Sequence, residues 1–214
     1  MVRAVKTAAA VAAASSAAWL LVGLGSAQTS AANAAVATIG GYQVVEHPVS
    51  LPAGGFVRQT ANCPKGKVVT GGGAAVVGAG SANFRTELQE SEPGTIGGGA
   101  TSVWLAAVSN HSRSNYTLGI FAVCATIPVG YQVVEHPVSL PAGGFVRQTA
   151  NCPKGKAVLG GGAGVVGAGS ANFGTEMQES EPGTIGGGAT SLWLDAVSNH
   201  STSNYTLGLW AVCA

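Results

Sequence analysis

The amino-acid sequence predicts an all-β protein of two tandem modules, each an antiparallel β-sandwich or a small β-barrel closed by one disulfide. Three observations lead to this prediction. Residues 42–125 recur as residues 131–214, and 74 of the 84 aligned positions are identical. Each copy contains two cysteines. Short β-branched or alternating segments are separated by turns with glycine and proline, and no helical periodicity follows the N-terminal leader.

The first 34 residues have the features of a secretory signal peptide. A short basic start is followed by an apolar, alanine-rich run over residues 7–25 and by small residues at Ala32 and Ala34. We expect cleavage after Ala34, which leaves module 1 at residues 35–125 and module 2 at residues 126–214. An uncleaved membrane anchor is the alternative. Ser15, Ser16 and many weakly apolar alanines make the run a poor transmembrane segment.

The charge of the chain excludes one class of partner. Without Arg3 and Lys6 the chain has eight basic and nine acidic residues, and the net charge is therefore −1. No basic stripe is present, so nucleic acid is not an expected partner. Few charges with abundant glycine, serine, threonine and asparagine are typical of an extracellular β-protein. The alanine, glycine and valine bias suggests a bacterial source with GC-rich DNA.

The cysteines predict a disulfide framework, as expected for a secreted chain with an even number of them. Because the ancestral single module must have closed its own bridge, we pair Cys63 with Cys124 and Cys152 with Cys213. Each bridge closes a loop of about 60 residues, which stabilises the fold by roughly 4 kcal/mol. Zinc ligation is disfavoured because no C-x-x-C pair is present.

The first three strands of a module are predicted at residues 42–52, 56–63 and 67–77. Residues 42–52 are rich in valine, and Pro48 restricts this strand to a sheet edge or a bulge. Residues 56–63 alternate between two faces. The third strand contains three consecutive glycines, 71–73, which suggest a bulge or the close approach of another backbone or a bulky ring.

The last three strands are predicted at residues 86–92, 101–109 and 116–124. The first of them is polar, and we expect it to face solvent on the wet side of an antiparallel sheet. A loop at 93–100 with glycines 97–99 precedes the other two, which are apolar. The second copy repeats the pattern 89 residues later.

These residues carry a family resemblance. Cys63-Pro64-Lys65-Gly66-Lys67, the three glycines, Trp104, Asn110 and the ending Ala122-Val123-Cys124-Ala125 are similar to a small secreted module of actinobacterial exported proteins. The second copy matches the same motif. The resemblance implies secretion and a disulfide-closed β-fold, and it implies no catalytic residue and no settled function.

Candidate catalytic groups are few. The neighbours Glu46 and His47, repeated 89 residues later, point to opposite faces of a strand and do not converge. Glu90 and Glu92 share a face, and glycosidases use such carboxylate pairs, although an exposed acidic strand is more often a solvated face. No calcium loop and no phosphate-binding loop is recognisable, so we expect neither a metal nor a cofactor.

Aromatic side chains are the stronger indication of a binding site. If exposed, the aromatic side chains of both copies could stack against sugars; they are Trp104, Tyr116, Phe121, Trp193, Tyr205 and Trp210. Packing in the core is the alternative for the tryptophans. The tyrosines adjoin loops and are expected to be more exposed. The candidate ligand-binding residues are therefore Trp104, Tyr116, Trp193, Tyr205, Glu90 and Glu179.

The sequence favours a secreted protein without catalytic activity that binds or coats something outside the cell. The expected partner is a cell-wall glycan, an extracellular polymer or another copy of the chain, and two similar modules would raise avidity. One alternative is a secreted glycan hydrolase that uses Glu90 and Glu179. Another is an exported protease inhibitor that presents the loop at residues 110–115.

Overall fold

The computed structural model describes residues 39–77, 84–94, 100–167, 173–183 and 190–214. The predicted signal peptide and the glycines at 97–99 lie outside these ranges, so both stay predictions. In the part of the chain that is described, every regular element is a β-strand, which confirms the all-β prediction. The described residues contain no helix that is long and apolar enough to cross a membrane.

The described residues form twelve strands, six in each module. Those of module 1 are β1 (Gln43–Leu51), β2 (Phe56–Asn62), β3 (Lys67–Val76), β4 (Thr86–Pro93), β5 (Val103–Asn110) and β6 (Tyr116–Thr126). Those of module 2 are β7 (Gln132–Leu140), β8 (Phe145–Asn151), β9 (Val158–Val165), β10 (Thr175–Pro182), β11 (Leu192–Asn199) and β12 (Tyr205–Cys213). The bounds lie within two residues of the predicted segments. Glycine or proline occurs in most of the connecting turns, although not between β5 and β6 or between β11 and β12.

Each module is a sandwich of two three-stranded antiparallel layers. In module 1 the layers have the strand orders β1-β6-β3 and β2-β5-β4, and in module 2 they are β7-β12-β9 and β8-β11-β10. Pro48 and Pro137 lie on the edge strands β1 and β7, where a residue without an N–H group is tolerated. The predicted restriction of the proline-containing strand to an edge is therefore confirmed.

One disulfide crosses the core of each sandwich. Cys63 is bonded to Cys124 and Cys152 to Cys213, which confirms the predicted pairing. The cysteines belong to two separate clusters of buried apolar side chains, one in each module. Disulfides persist in oxidising compartments, and the two bridges therefore indicate an extracellular environment.

The two sandwiches share one sheet. Strand β4 of module 1 pairs with β9 of module 2, where Ser91 lies opposite Ala163. This contact, called the junction below, joins a layer of each module into a six-stranded sheet with the order β2-β5-β4-β9-β12-β7. The linker between the modules is short, and the two copies are in direct contact as its length predicts.

Strands β3 and β10 are the counterparts of the paired strands β9 and β4, but they do not pair with each other. Strand β3 packs over β4, and β10 packs over β9. Both are edge strands of three-stranded sheets. A cavity of about 350 Å³ lies between them and is lined by glycines of both copies, including Gly72 and Gly161. The junction is therefore formed by one of two equivalent pairs of edges.

Candidate functional site

The acidic strands of the two modules have the same sequence from Gln to Pro but different surroundings. Residues 89–93 of β4 are all buried at the junction, whereas residues 178–182 of β10 are all exposed. The prediction that this strand faces solvent is therefore correct for β10 and wrong for β4. The physical reason is that β9 covers β4, and nothing in the repeat itself indicates which copy is covered.

Glycines of β9 allow the modules to approach closely. A Cβ atom on Gly160 would overlap the carbonyl oxygen of Thr70, and one on Gly162 would overlap that of Ser91. The corresponding glycines of module 1, Gly71 and Gly73, face open space. The predicted close approach of another backbone to the glycine run is confirmed in module 2.

The middle glycine of each run accommodates a bulky ring instead. A Cβ atom on Gly72 would overlap the indole of Trp104, and one on Gly161 would overlap the indole of Trp193. The alternative prediction for the glycine run, packing against a large side chain, is thus also confirmed.

Glu90 is a buried carboxylate of the junction that accepts hydrogen bonds from both modules. Its side chain is 0% exposed, and Oε2 accepts a hydrogen bond from Nε of Arg58 at 2.5 Å. The backbone N–H of Val165 in module 2 donates to its Oε1 at 3.0 Å. Burial raises the pKa of Glu90, and the bonds from Arg58 and Val165 oppose that rise. Glu90 therefore links the two modules, and each of its oxygens accepts a hydrogen bond.

Glu92 lies two residues further along the same face. Its Oε2 is buried and has no hydrogen-bond partner among the described residues. Burial raises the pKa of Glu92 well above its usual range, and the neighbouring carboxylates of Glu90 and Glu135 raise it further against the opposing charge of Arg58. A buried polar group without a partner is uncommon in a folded protein and requires an explanation.

Glu92 lines a cleft of about 360 Å³, called the junction cleft below. Its polar lining comes from both modules: Arg58, Thr60 and Glu92 from module 1, and Glu135 and Trp210 from module 2. Val103, Leu105 and Val165 are among its apolar lining residues. The cleft residues on β2, β5 and β12 alternate with core residues such as Ala61, Trp104 and Leu209. This part of the cleft therefore lies on the face of the six-stranded sheet opposite the two cores.

Trp210 forms one wall of the junction cleft and is one of the aromatic residues that the sequence offers for stacking against sugars. It lies directly opposite Glu135 in the pairing of β12 with β7. Its indole Nε1 is buried without a hydrogen-bond partner among the described residues. Trp210 replaces Phe121 of module 1, and this substitution is one of only 10 differences between the copies.

The predicted tryptophans pack with the cores. Trp104 is 1% exposed and donates from Nε1 to Oγ of Ser91 at 3.1 Å. Trp193 is half-buried against the core of module 2 and makes the equivalent bond to Ser180 at 3.0 Å. The core-packing alternative therefore describes both side chains.

The remaining predicted residues are not brought together. Tyr116 and Tyr205 are half-buried and make edge-to-face ring contacts with Phe84 and Phe173. Glu179 is exposed and pairs with Arg147 at 2.7 Å. Their role in binding stays a prediction, and of the predicted set only Glu90 lies at the junction.

Module 2 carries a second unusual carboxyl group. Asp195 is 0% exposed in β11, where module 1 has Ala106. Neither oxygen makes a hydrogen bond of good geometry to the described residues. Burial raises the pKa of Asp195 to about 7, although the nearby Ser180 and Trp193 oppose this shift.

Comparisons with known proteins do not identify this site. No protein-family model, no curated protein and no solved structure matches the chain.

Proposed function

We propose that this chain is an exported, non-catalytic binding protein and that its ligand is a polyhydroxylated polymer such as a cell-wall glycan, bound in the junction cleft. The observation that carries the proposal is the lining of this cleft. Charged and aromatic side chains converge there from the two copies, and two of them, Glu92 and Trp210, have a buried polar atom without a partner among the described residues. Convergent polar groups in an otherwise apolar cleft are typical of ligand sites.

The chemistry of the lining favours hydroxyl groups. A hydroxyl can donate to a carboxylate oxygen and accept from an indole N–H, so one kind of ligand group serves both Glu92 and Trp210. The guanidinium of Arg58 and the hydroxyl of Thr60 offer further hydrogen bonds. Val103 and Leu105, which are half-buried, supply apolar surface on which the C–H face of a sugar ring can pack.

The cleft gives one binding site per chain. It requires that β4 and β9 are paired, and the equivalent edges, β10 and β3, are not paired. The two copies therefore act together to build this site. The bivalent binding expected from the repeat is not tested by the structure and stays a prediction for surfaces that each module presents by itself.

Export is supported by the two disulfides and by the signal-peptide features of residues 1–34. N-terminal sequencing of the protein recovered from the culture medium would test it. The expected mature N-terminus is Ala35.

The binding proposal is tested by co-sedimentation of the purified protein with insoluble cell-wall glycan. Glu92→Gln and Trp210→Phe remove the carboxylate charge and the indole N–H of the cleft, and we expect each to weaken binding at least tenfold. The matched controls are Glu181→Gln, which makes the same change on the unpaired edge strand β10, and Phe121→Trp, which makes the reverse substitution at the counterpart position on β6. Binding that is lost equally in the controls, or retained in both cleft variants, would contradict the proposal.

One observation favours a second candidate function, a glycan hydrolase. The junction cleft contains two carboxyl groups, Glu92 and Glu135, and a raised pKa such as that of Glu92 is typical of a general acid. This assignment differs from the hydrolase predicted from the sequence because Glu90 is occupied by Arg58 and Val165. Release of reducing sugar by the wild type, and its loss in Glu92→Gln and Glu135→Gln, would establish the hydrolase.

A further inference from the structure

At the junction, a group of metal-ligating side chains from the two modules meets outside the junction cleft. The ligand atoms of Glu87, Glu176 and His200 all lie within 4.8 Å of one another. Glu87 belongs to module 1, and the other two belong to module 2. His111 of module 1 lies beside them, with its Nε2 at 2.8 Å from Oε2 of Glu87. These four residues are called the Glu–His cluster below.

The cluster consists of two equivalent halves. Glu87 and Glu176 are counterparts in the repeat, as are His111 and His200. Each glutamate is paired with the histidine of its own module, and the distance from Nε2 of His200 to Oε2 of Glu176 is 3.1 Å. Module 1 supplies one of the three ligand residues, Glu87, and module 2 supplies Glu176 and His200, so the complete set exists only where β10 packs against β4.

Hydrogen bonds hold the start of β10 against β4 and so bring the two glutamates together. The backbone N–H of Phe173 donates to Oε1 of Gln89 at 3.2 Å, and the hydroxyl of Thr175 donates to the carbonyl oxygen of Gln89 at 3.5 Å. The ring of Phe173 also contacts that of Phe56 edge to face. Two carboxylates are therefore held close to each other by contacts that do not involve their own charges.

We infer that Glu87, Glu176 and His200 form a binding site for a divalent transition-metal ion, for which Zn²⁺ is the best match, and that His111 positions Glu87 for this role. Mixed imidazole and carboxylate ligands are typical of zinc sites, whereas magnesium and calcium prefer oxygen ligands alone. Adjacent ligand atoms around a tetrahedral zinc ion lie about 3.3 Å apart. The distance of 3.1 Å between Nε2 of His200 and Oε2 of Glu176 is close to this value. Both side chains are exposed, so they can move to coordinate an ion.

The charges of the cluster are consistent with this assignment. With neutral imidazoles the two glutamates carry two negative charges, which one divalent ion compensates. The hydrogen bond from His111 to Glu87 is the kind of second contact that orients a metal ligand. Because the ligands come from both modules, the bound ion cross-links them and stabilises the junction by mass action. The inference is independent of the proposed ligand of the junction cleft.

The test is titration calorimetry of the purified chain with zinc chloride, with magnesium chloride as the comparison. We expect one zinc ion per chain and no magnesium binding. His200→Ala and Glu87→Gln should each weaken zinc binding at least tenfold, and His111→Ala should weaken it less at unchanged stoichiometry. The matched control is His136→Ala, an exposed histidine that bonds to Thr149 outside the cluster. It should leave binding unchanged.

Cobalt provides a second readout that a purely structural role would not affect. Co²⁺ in the cluster should give the visible absorption bands of a tetrahedral site, and these bands should be absent in His200→Ala and present in His136→Ala. Circular dichroism of each variant without metal checks that it is folded. The inference is overturned if zinc does not bind to the folded wild type, or if it binds with equal affinity to His200→Ala and Glu87→Gln.

Discussion

The two modules share 74 of 84 aligned residues, and yet equivalent strands have opposite surroundings. In module 1 the acidic strand β4 is buried and the glycine-rich strand β3 is partly exposed. In module 2 the acidic strand β10 is exposed and the glycine-rich strand β9 is buried. The junction uses the acidic edge of one copy and the glycine edge of the other.

This comparison shows that the roles of identical residues are decided by their contacts. Glu90 is a buried link between modules, whereas its counterpart Glu179 is an exposed partner of Arg147. Gly162 fits beneath the backbone of β4, whereas Gly73 has open space above it. The repeat therefore supplies a matched control for each residue of the junction, and the following predictions use these pairs.

The largest effect is expected at the buried carboxyl group that only module 2 contains. Asp195→Ala restores the residue of module 1 and should raise the free energy of unfolding by about 4 kcal/mol at pH 8, since a pKa shift of about three units costs about 4 kcal/mol. Denaturant unfolding of the wild type and the variant would measure it. The reverse change, Ala106→Asp, should destabilise module 1 by a similar amount.

The burial of Asp195 also predicts that the free energy of unfolding depends on pH. In the unfolded chain the Asp195 carboxyl ionises near its ordinary pKa of 3.8, whereas in the folded chain it holds its proton until about pH 7. The folded state therefore binds more protons in this range, and the stability of the wild type falls as pH rises from about 4 to about 7. The advantage of Asp195→Ala should vanish near pH 4. An advantage that is constant with pH would contradict the burial of an ionisable group.

The second largest change in the free energy of unfolding is expected at Arg58 and its counterpart Arg147. Arg58→Ala leaves the buried Glu90 without its ionic partner and should cost about 3 kcal/mol. Arg147→Ala removes the equivalent bond to Glu179 at a site where the arginine side chain is 51% exposed, and should cost less than about 1 kcal/mol. Thermal unfolding of both variants would compare them, and equal losses would mean that β4 is not buried in solution.

A smaller effect is expected at the glycines. Gly162→Ala places a methyl group against the carbonyl oxygen of Ser91 and should cost about 2 kcal/mol by forcing β9 away from β4. Gly73→Ala meets open space and should stabilise the chain by about 0.5 kcal/mol through the lower entropy of the unfolded state. Denaturant unfolding would show whether each substitution lowers or raises the free energy of unfolding. A loss at Gly73 as large as that at Gly162 would show that β3 is also covered.

The smallest effect is expected at the phenylalanines that begin β2 and β8. Phe56 contacts Phe173 edge to face with ring centroids 6.4 Å apart, whereas its counterpart Phe145 is 54% exposed. Phe56→Ala should therefore cost about 1 kcal/mol more than Phe145→Ala, as expected for one aromatic pair. Unfolding curves of the two variants measure the difference, and a reversed order would place the junction on the other pair of edges.

Much of the fold could be predicted because its signals are local. Alternation and turn residues indicate each strand, the position of Pro48 indicates an edge, and the duplication selects the pairing of Cys63 with Cys124. The junction cleft could not be predicted in this way. Glu92 and Trp210 lie far apart in the sequence and in different copies, and they meet only because β4 pairs with β9.

The sequence by itself determined the β-class, the order of the strands along the chain and the disulfides. It also determined the presence of glycines that allow another backbone to approach closely. The tertiary structure alone decided which copy is covered at the junction, and with it the burial of Glu90 and Glu92 and the meeting of Glu87 with Glu176. The physical reason is that both copies present the same acidic and glycine-rich edges. Local sequence fixes what an edge can pair with, whereas packing of the two whole modules selects the edges that do pair.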